Sequence, residues 1–149
     1  MKIEIIDKDS LYFFINSMYI SNIDLNSKED IISFVKKLII KYHKKLNMKG
    51  FYKAIVYTNK KVGLFIEVSK IDDSLYMNSL DLKIIVNMNE KVYFKTKEYN
   101  ILPNNKKYYY NKYFYCDVSS VNKIIDIVDY GVFIYGNELD NIRNKLITI

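Results

Sequence analysis

The chain has 149 residues, half of them hydrophobic, and 23 Lys+Arg against 17 Asp+Glu give it a formal charge of +6. That length supports one ordinary core or two small lobes, and that apolar content excludes an intrinsically disordered chain. No apolar run approaches the roughly 18 residues of a membrane span, and a lone cysteine, Cys116, excludes an internal disulfide.

The first residues lack the charged start and long apolar core of a signal peptide. With the single cysteine, this makes a cytoplasmic protein without a membrane partner the expectation. Lys, Asn, Ile and Tyr are abundant, whereas Ala54, Pro103 and Arg143 each stand alone. The first group has A+T-rich codons and the second G+C-rich ones, so neither the 15 tyrosines nor the lysine total argues for nucleic-acid binding. Charge placement carries more. Residues 31–66 contain nine lysines and no acid, while residues 117–140 hold Asp117, Asp126, Asp129, Glu138 and Asp140 against Lys123 alone. A dipolar molecule is expected, basic in its N-terminal half and acidic near its C-terminal end.

In chain order, residues 2–6 read as a strand, 7–10 as a turn, and the apolar, aromatic run 11–15 as a second strand extending up to residue 20. Ser27 then stands as a helix N-cap with Asp30 three residues on, a near capping box. Ile31, Val35, Leu38 and Tyr42 recur at helical spacing, with Ile32 and Ile39 widening the stripe and Lys37, Lys41 and Lys44 opposite. The spacing predicts an amphipathic helix over 27–46, stopped by Asn47 and Gly50. Residues 51–58 and 62–68 flank Asn59-Lys60-Lys61 as a hairpin, and Val62, Leu64, Ile66 and Val68 alternate as a strand with one core face. The polar connector 69–78, with Asp72-Asp73-Ser74, is the expected boundary.

Leu80, Leu82, Ile84 and Val86 alternate in turn, and 92–97 reads as a further strand. Pro103-Asn104-Asn105 breaks the chain, and 107–110 pairs with 113–118 across Asn111-Lys112. Ser119 or Ser120 is expected to cap a short helix with Val121, Ile124, Ile125 and Val128 on one face and Gly131 past its end. Residues 132–135 form an apolar run too short for a helix, and Leu139, Ile142 and Leu146 give a final helical stripe. The fold class is α+β: β-β-α-β-β, then hairpins with two short C-terminal helices, and one long amphipathic helix packed on a small antiparallel sheet. This reads as a single compact domain, 1–149, or as two small lobes, 1–70 and 75–149, sharing a core.

Chemistry-bearing residues are sparse. His43 is the only histidine, and a Cys116–His43 dyad is possible in principle, its ordinary alternative being an exposed histidine and a buried structural thiol. The acidic pair Asp72-Asp73 lacks the EF-hand pattern, and the four glycines form no phosphate-binding loop. No catalytic residue, cofactor or metal is assigned. Residues 106–115 interleave lysines with aromatics, which suits base stacking or, more simply, cross-strand tyrosine pairs with their hydroxyls in water.

The C-terminal part resembles the C-terminal domain of the MecA-type adaptor proteins of low-G+C Gram-positive bacteria. The matching residues are Tyr93-Phe94-Lys95-Thr96-Lys97-Glu98-Tyr99, the hairpin 110–115, and Asp129-Tyr130-Gly131 with Ile134, Asn137 and Ile142. Residues 63–70 similarly resemble the last strand of that family's N-terminal domain. Such adaptors hand substrates to a Clp-type ATPase and catalyse nothing themselves. This chain is shorter than those adaptors, lacks their long linker, and is basic where they are acidic.

The leading expectation is therefore a non-enzymatic protein–protein adaptor or regulator that offers the basic surface of residues 31–66 to an acidic protein partner. The alternative is a nucleic-acid binder using the lysine-rich helix and the 106–115 hairpin. The candidate partner-binding residues are Lys37, Lys41, Lys44, Lys45, Lys60, Lys61, Tyr109 and Tyr113. Opposed charge at the two ends would also suit a homodimer.

Overall fold

A computed structural model describes every residue except Lys8, Ser21, Lys44, Leu46, Asn47, 73–79 and Asn105. The α+β class holds, and the chain forms two compact units, Met1–Asn89 and Glu90–Ile149.

In the first unit, β1 (Lys2–Asp7) and β2 (Ser10–Asn16) pair antiparallel, and a 3-10 turn at Ser17–Tyr19 ends the second strand short of residue 20. The helix α1 (Lys28–His43) begins where the capping pattern places it, with Ser27 Oγ accepting from the Asp30 N–H. The expected stop at Asn47, and Lys44 before it, lie outside the described residues. β3 (Gly50–Asn59) and β4 (Gly63–Asp72) form the expected hairpin. The Asn59 side chain accepts from the N–H groups of Lys61 and Val62, so the turn is built by an Asx interaction.

β5 (Leu80–Asn87) departs from the expected layout. It pairs parallel with β3, so the sheet is mixed and five-stranded, in the order β1-β2-β4-β3-β5. Asp72 pairs opposite Phe51 and Leu80 opposite Gly50, so the chain leaves β4 and enters β5 at the same end of β3. Skipping one strand in this way makes β5 parallel to β3. The division into units consequently falls after Asn89, not in the polar connector.

The core of this unit lies between α1 and one face of the sheet. Ile31, Val35 and Ile39 are fully buried against Phe13, Ala54, Val56, Leu64 and Ile66. Leu38 and Tyr42, expected at the centre of the stripe, flank it half-buried, because the true centre follows a strict i, i+4, i+8 row. Val62 is buried but precedes β4 and stands outside this cluster. Phe65, on the opposite face of β4, is also buried and stacks on Phe14 at 5.2 Å, so β4 has two buried faces rather than one.

The second unit has an antiparallel sheet, β10-β7-β8-β6-β9, made of β6 (Tyr93–Thr96), β7 (Tyr108–Tyr110), β8 (Tyr113–Asp117), β9 (Gly131–Ile134) and β10 (Ile147–Thr148). Asn111 and Lys112 both have positive φ, 49° and 72°, as a two-residue primed turn requires. α2 (Gly136–Arg143) buries Leu139 against Tyr93, Tyr115 and Ile134, with Ile142 and Leu146 at its margin.

The helix expected after Ser120 does not form. Three 3-10 turns replace it, at Val118–Ser120, Ile124–Asp126 and Val128–Tyr130. Asp117, not a serine, caps the first, its carboxylate accepting from the Ser119 N–H. Val118, Val121, Ile124 and Ile127 are buried at intervals of three, the 3-10 period, while Ile125 is 55% exposed. Six β-branched residues within eleven positions disfavour the α-helical alternative. Gly131 is extended and opens β9 instead of closing a helix.

Candidate functional site

The outward face of α1 follows from the burial of Ile31, Val35 and Ile39, since residues between them must point away. Lys36, Lys37 and Lys41 are exposed there, and Ile40 among them is 51% exposed. No acidic group among the described residues pairs with any of these three lysines. Lys37 and Lys41 repel at i, i+4 spacing, and Ile40 lies within one turn of Lys36 and Lys37.

The rest of the basic segment is divided among other elements. Lys45 follows α1 and is exposed, whereas Lys44 is outside the described residues. Lys60 and Lys61 sit in the β3–β4 turn, Lys60 exposed and Lys61 half-buried, and the Lys61 carbonyl accepts from Ser17 Oγ. Lys53 alternates with the buried Tyr52 and Ala54 and so points to the sheet face away from α1. The described lysines of residues 31–66 therefore do not form one patch.

The aromatic hairpin is organised by cross-strand pairing. Tyr109 faces Phe114, and Tyr110 faces Tyr113, which puts Tyr109 and Tyr113 on opposite faces of the sheet. Tyr113 carries Lys95 Nζ at 4.2 Å from its ring centroid and Lys97 Nζ at 5.5 Å. Buried Lys107 places its Nζ 3.8 Å over Tyr99. Lysines and tyrosines of this region thus engage each other within the unit by cation–π contact.

The candidate nucleophile is poorly prepared for chemistry. Cys116 is fully buried in β8, and burial pushes its thiol up to about 12, with Asp117 adding to the rise and Lys107 opposing it. His43 ends α1 in the first unit, whereas Cys116 belongs to the second. Among the described residues, no group of three His, Cys, Asp or Glu is arranged to hold a metal ion, and no helix is long and apolar enough to cross a membrane.

The second unit also contains an open groove of about 460 Å³, lined by Tyr93, Tyr108, Asp140, Arg143, Asn144 and Leu146. Tyr93 and Tyr108 stack at 6.0 Å, and burial, helped by Tyr108 and Asp117, raises the Tyr93 hydroxyl above its usual range. Sequence reasoning passed over this place. Its one signal was the single arginine of a chain that otherwise uses lysine.

Compared with known proteins, the chain matches no family model, no curated protein and no solved structure.

Proposed function

We propose that the chain is a non-enzymatic binding protein, an adaptor or regulator, whose α1 outer face docks an acidic surface of a protein partner. The observation that carries this reading is the lysine face of α1, which has no acidic partner among the described residues, with Ile40 exposed inside it. Cations without local acids repel one another until a partner supplies the opposite charge. An apolar side chain within a polar rim is the usual composition of a protein-binding patch. The opposed faces of Tyr109 and Tyr113 favour this reading over a stacking platform for single-stranded nucleic acid. The resemblance to MecA-type adaptors implies the same class of activity.

The test is capture of partners from the native host by the intact protein and by the Lys37→Glu/Lys41→Glu double variant. A specific protein retained by the first and lost with the second is the expected outcome. Fluorescence anisotropy with generic DNA and RNA should show at most weak binding, extinguished by about 0.2 M salt, as non-specific phosphate contacts are. Sub-micromolar binding that survives that salt and drops on Tyr109→Ala would make the protein a nucleic-acid binder instead.

A further inference from the structure

The Arg143 groove is built from three elements. β6 and β7 contribute the stacked Tyr93 and Tyr108, α2 contributes Asp140 and Arg143, and Asn144 and Leu146 follow its end. Arg143 and Asp140 are one turn apart on α2, yet no ion pair joins them, and among the described residues Arg143 has no acidic partner. A guanidinium is a planar fork that matches a carboxylate in two parallel hydrogen bonds, and here it lines the groove without an acidic partner among the described residues, its charge acting on the Tyr93 hydroxyl. Asn144 beside it adds an amide donor. The nearby Asp140 carboxylate repels a phosphate dianion more strongly than a carboxylate monoanion, and it accepts from an N–H.

We propose that the groove between α2 and the Tyr93–Tyr108 pair is a second docking site, which takes a carboxylate of a peptide segment. The carboxylate accepts from Arg143 and Asn144, a neighbouring backbone N–H donates to Asp140, and the adjoining side chain lies against Tyr108 and Leu146. The groove is open, which suits a chain passing along it, so the carboxylate is that of an acidic side chain. The site rests on the reading of the chain as a protein-binding module but uses no residue of α1.

The test is a ¹H–¹⁵N correlation titration of the full-length protein with three short peptides. Acetyl-Ala-Glu-Ala-amide carries a side-chain carboxylate, acetyl-Ala-Ala a terminal one, and acetyl-Ala-Gln-Ala-amide none. The glutamate peptide should shift the amides of Tyr93, Tyr108 and Asn144 and the Arg143 Nε–H, and a stronger response to acetyl-Ala-Ala would overturn the assignment to a side chain. The glutamine peptide should leave them still. Arg143→Gln should weaken binding about tenfold or more, the usual consequence of losing a charged hydrogen-bond pair. Arg143→Lys should recover only part of it, since an ammonium keeps the charge without the fork. Because Arg143 is exposed, both variants should keep the far-ultraviolet circular dichroism of the parent. Lys37→Glu/Lys41→Glu should bind the peptides normally, which separates failure of this site from failure of the α1 face. Equal response to the glutamine peptide, shifts centred elsewhere, no shift with any peptide, or unchanged binding by Arg143→Gln would each overturn the proposal.

Discussion

A methyl group at Gly63 would collide with the Ile15 carbonyl oxygen, and the residue's φ of +129° is one that side-chain-bearing residues rarely adopt. Gly63→Ala should therefore destabilise the first unit by about 3 kcal/mol or more, combining backbone strain with a steric clash. Denaturant unfolding measures this, and a loss under about 1 kcal/mol would show that β2 and β4 part easily there. Cys116 makes a pH prediction. Its thiol rises from an ordinary 9.0 to about 12 in the fold, so between those values the unfolded chain has released a proton that the folded chain keeps. Stability should fall as pH rises through that window, and Cys116→Ala should remove part of the slope. At neutral pH the native thiol should react slowly with thiol reagents and quickly once the chain is unfolded. At this scale the sequence indicated a buried free thiol, because Cys116 lies in an aromatic strand. The Arg143 groove was not legible, because its lining comes from residues 93 to 146 and only the pairing of β6, β7 and β8 gathers them.

Among the elements, α1 was the most legible, since its cap, its apolar stripe and its lysine side are all written locally. Its rotation was off by part of a turn, because flanking apolar residues at Ile32, Phe34, Leu38 and Tyr42 make a broad stripe whose centre only the sheet decides. Ile39→Ala should cost about 2–5 kcal/mol, the range for emptying a core site. Leu38→Ala should cost clearly less, and chemical denaturation of the pair ranks them. The 3-10 turns were misread because Val121, Ile124, Ile125 and Val128 satisfy helical spacing as well as a three-residue period. The exposures separate the two. Ile124→Ala should lose about 2 kcal/mol or more, while Ile125→Asn should stay within about 0.5 kcal/mol of the parent. Equal losses at the two positions would restore the α-helix. The β7–β8 hairpin was legible from Asn111-Lys112 alone, whereas β10 was not, because two exposed residues carry no alternation to read.

For the whole molecule, the decisive pairing is β3 with β5, which gives the first unit a strand that local patterning assigned elsewhere. A fragment ending at residue 89 should unfold cooperatively on heating. One ending at residue 72 lacks β5 and leaves the buried edge of β3 uncovered, so it should show no such transition by circular dichroism. The same topology dictates an order of assembly. The β3–β4 hairpin closes over a few residues, but β2 meets β4 across sequence separations of 47 to 59 residues, with α1 inside the loop. Closing so long a loop is slow, and contacts between distant residues reward it only afterwards. The hairpin should thus form first and present β4 as an unpaired template until β2 returns to it. During synthesis the N-terminal strands emerge long before their partner, so β1 and β2 must wait, as a lone hairpin of marginal stability, until residue 72 has left the ribosome.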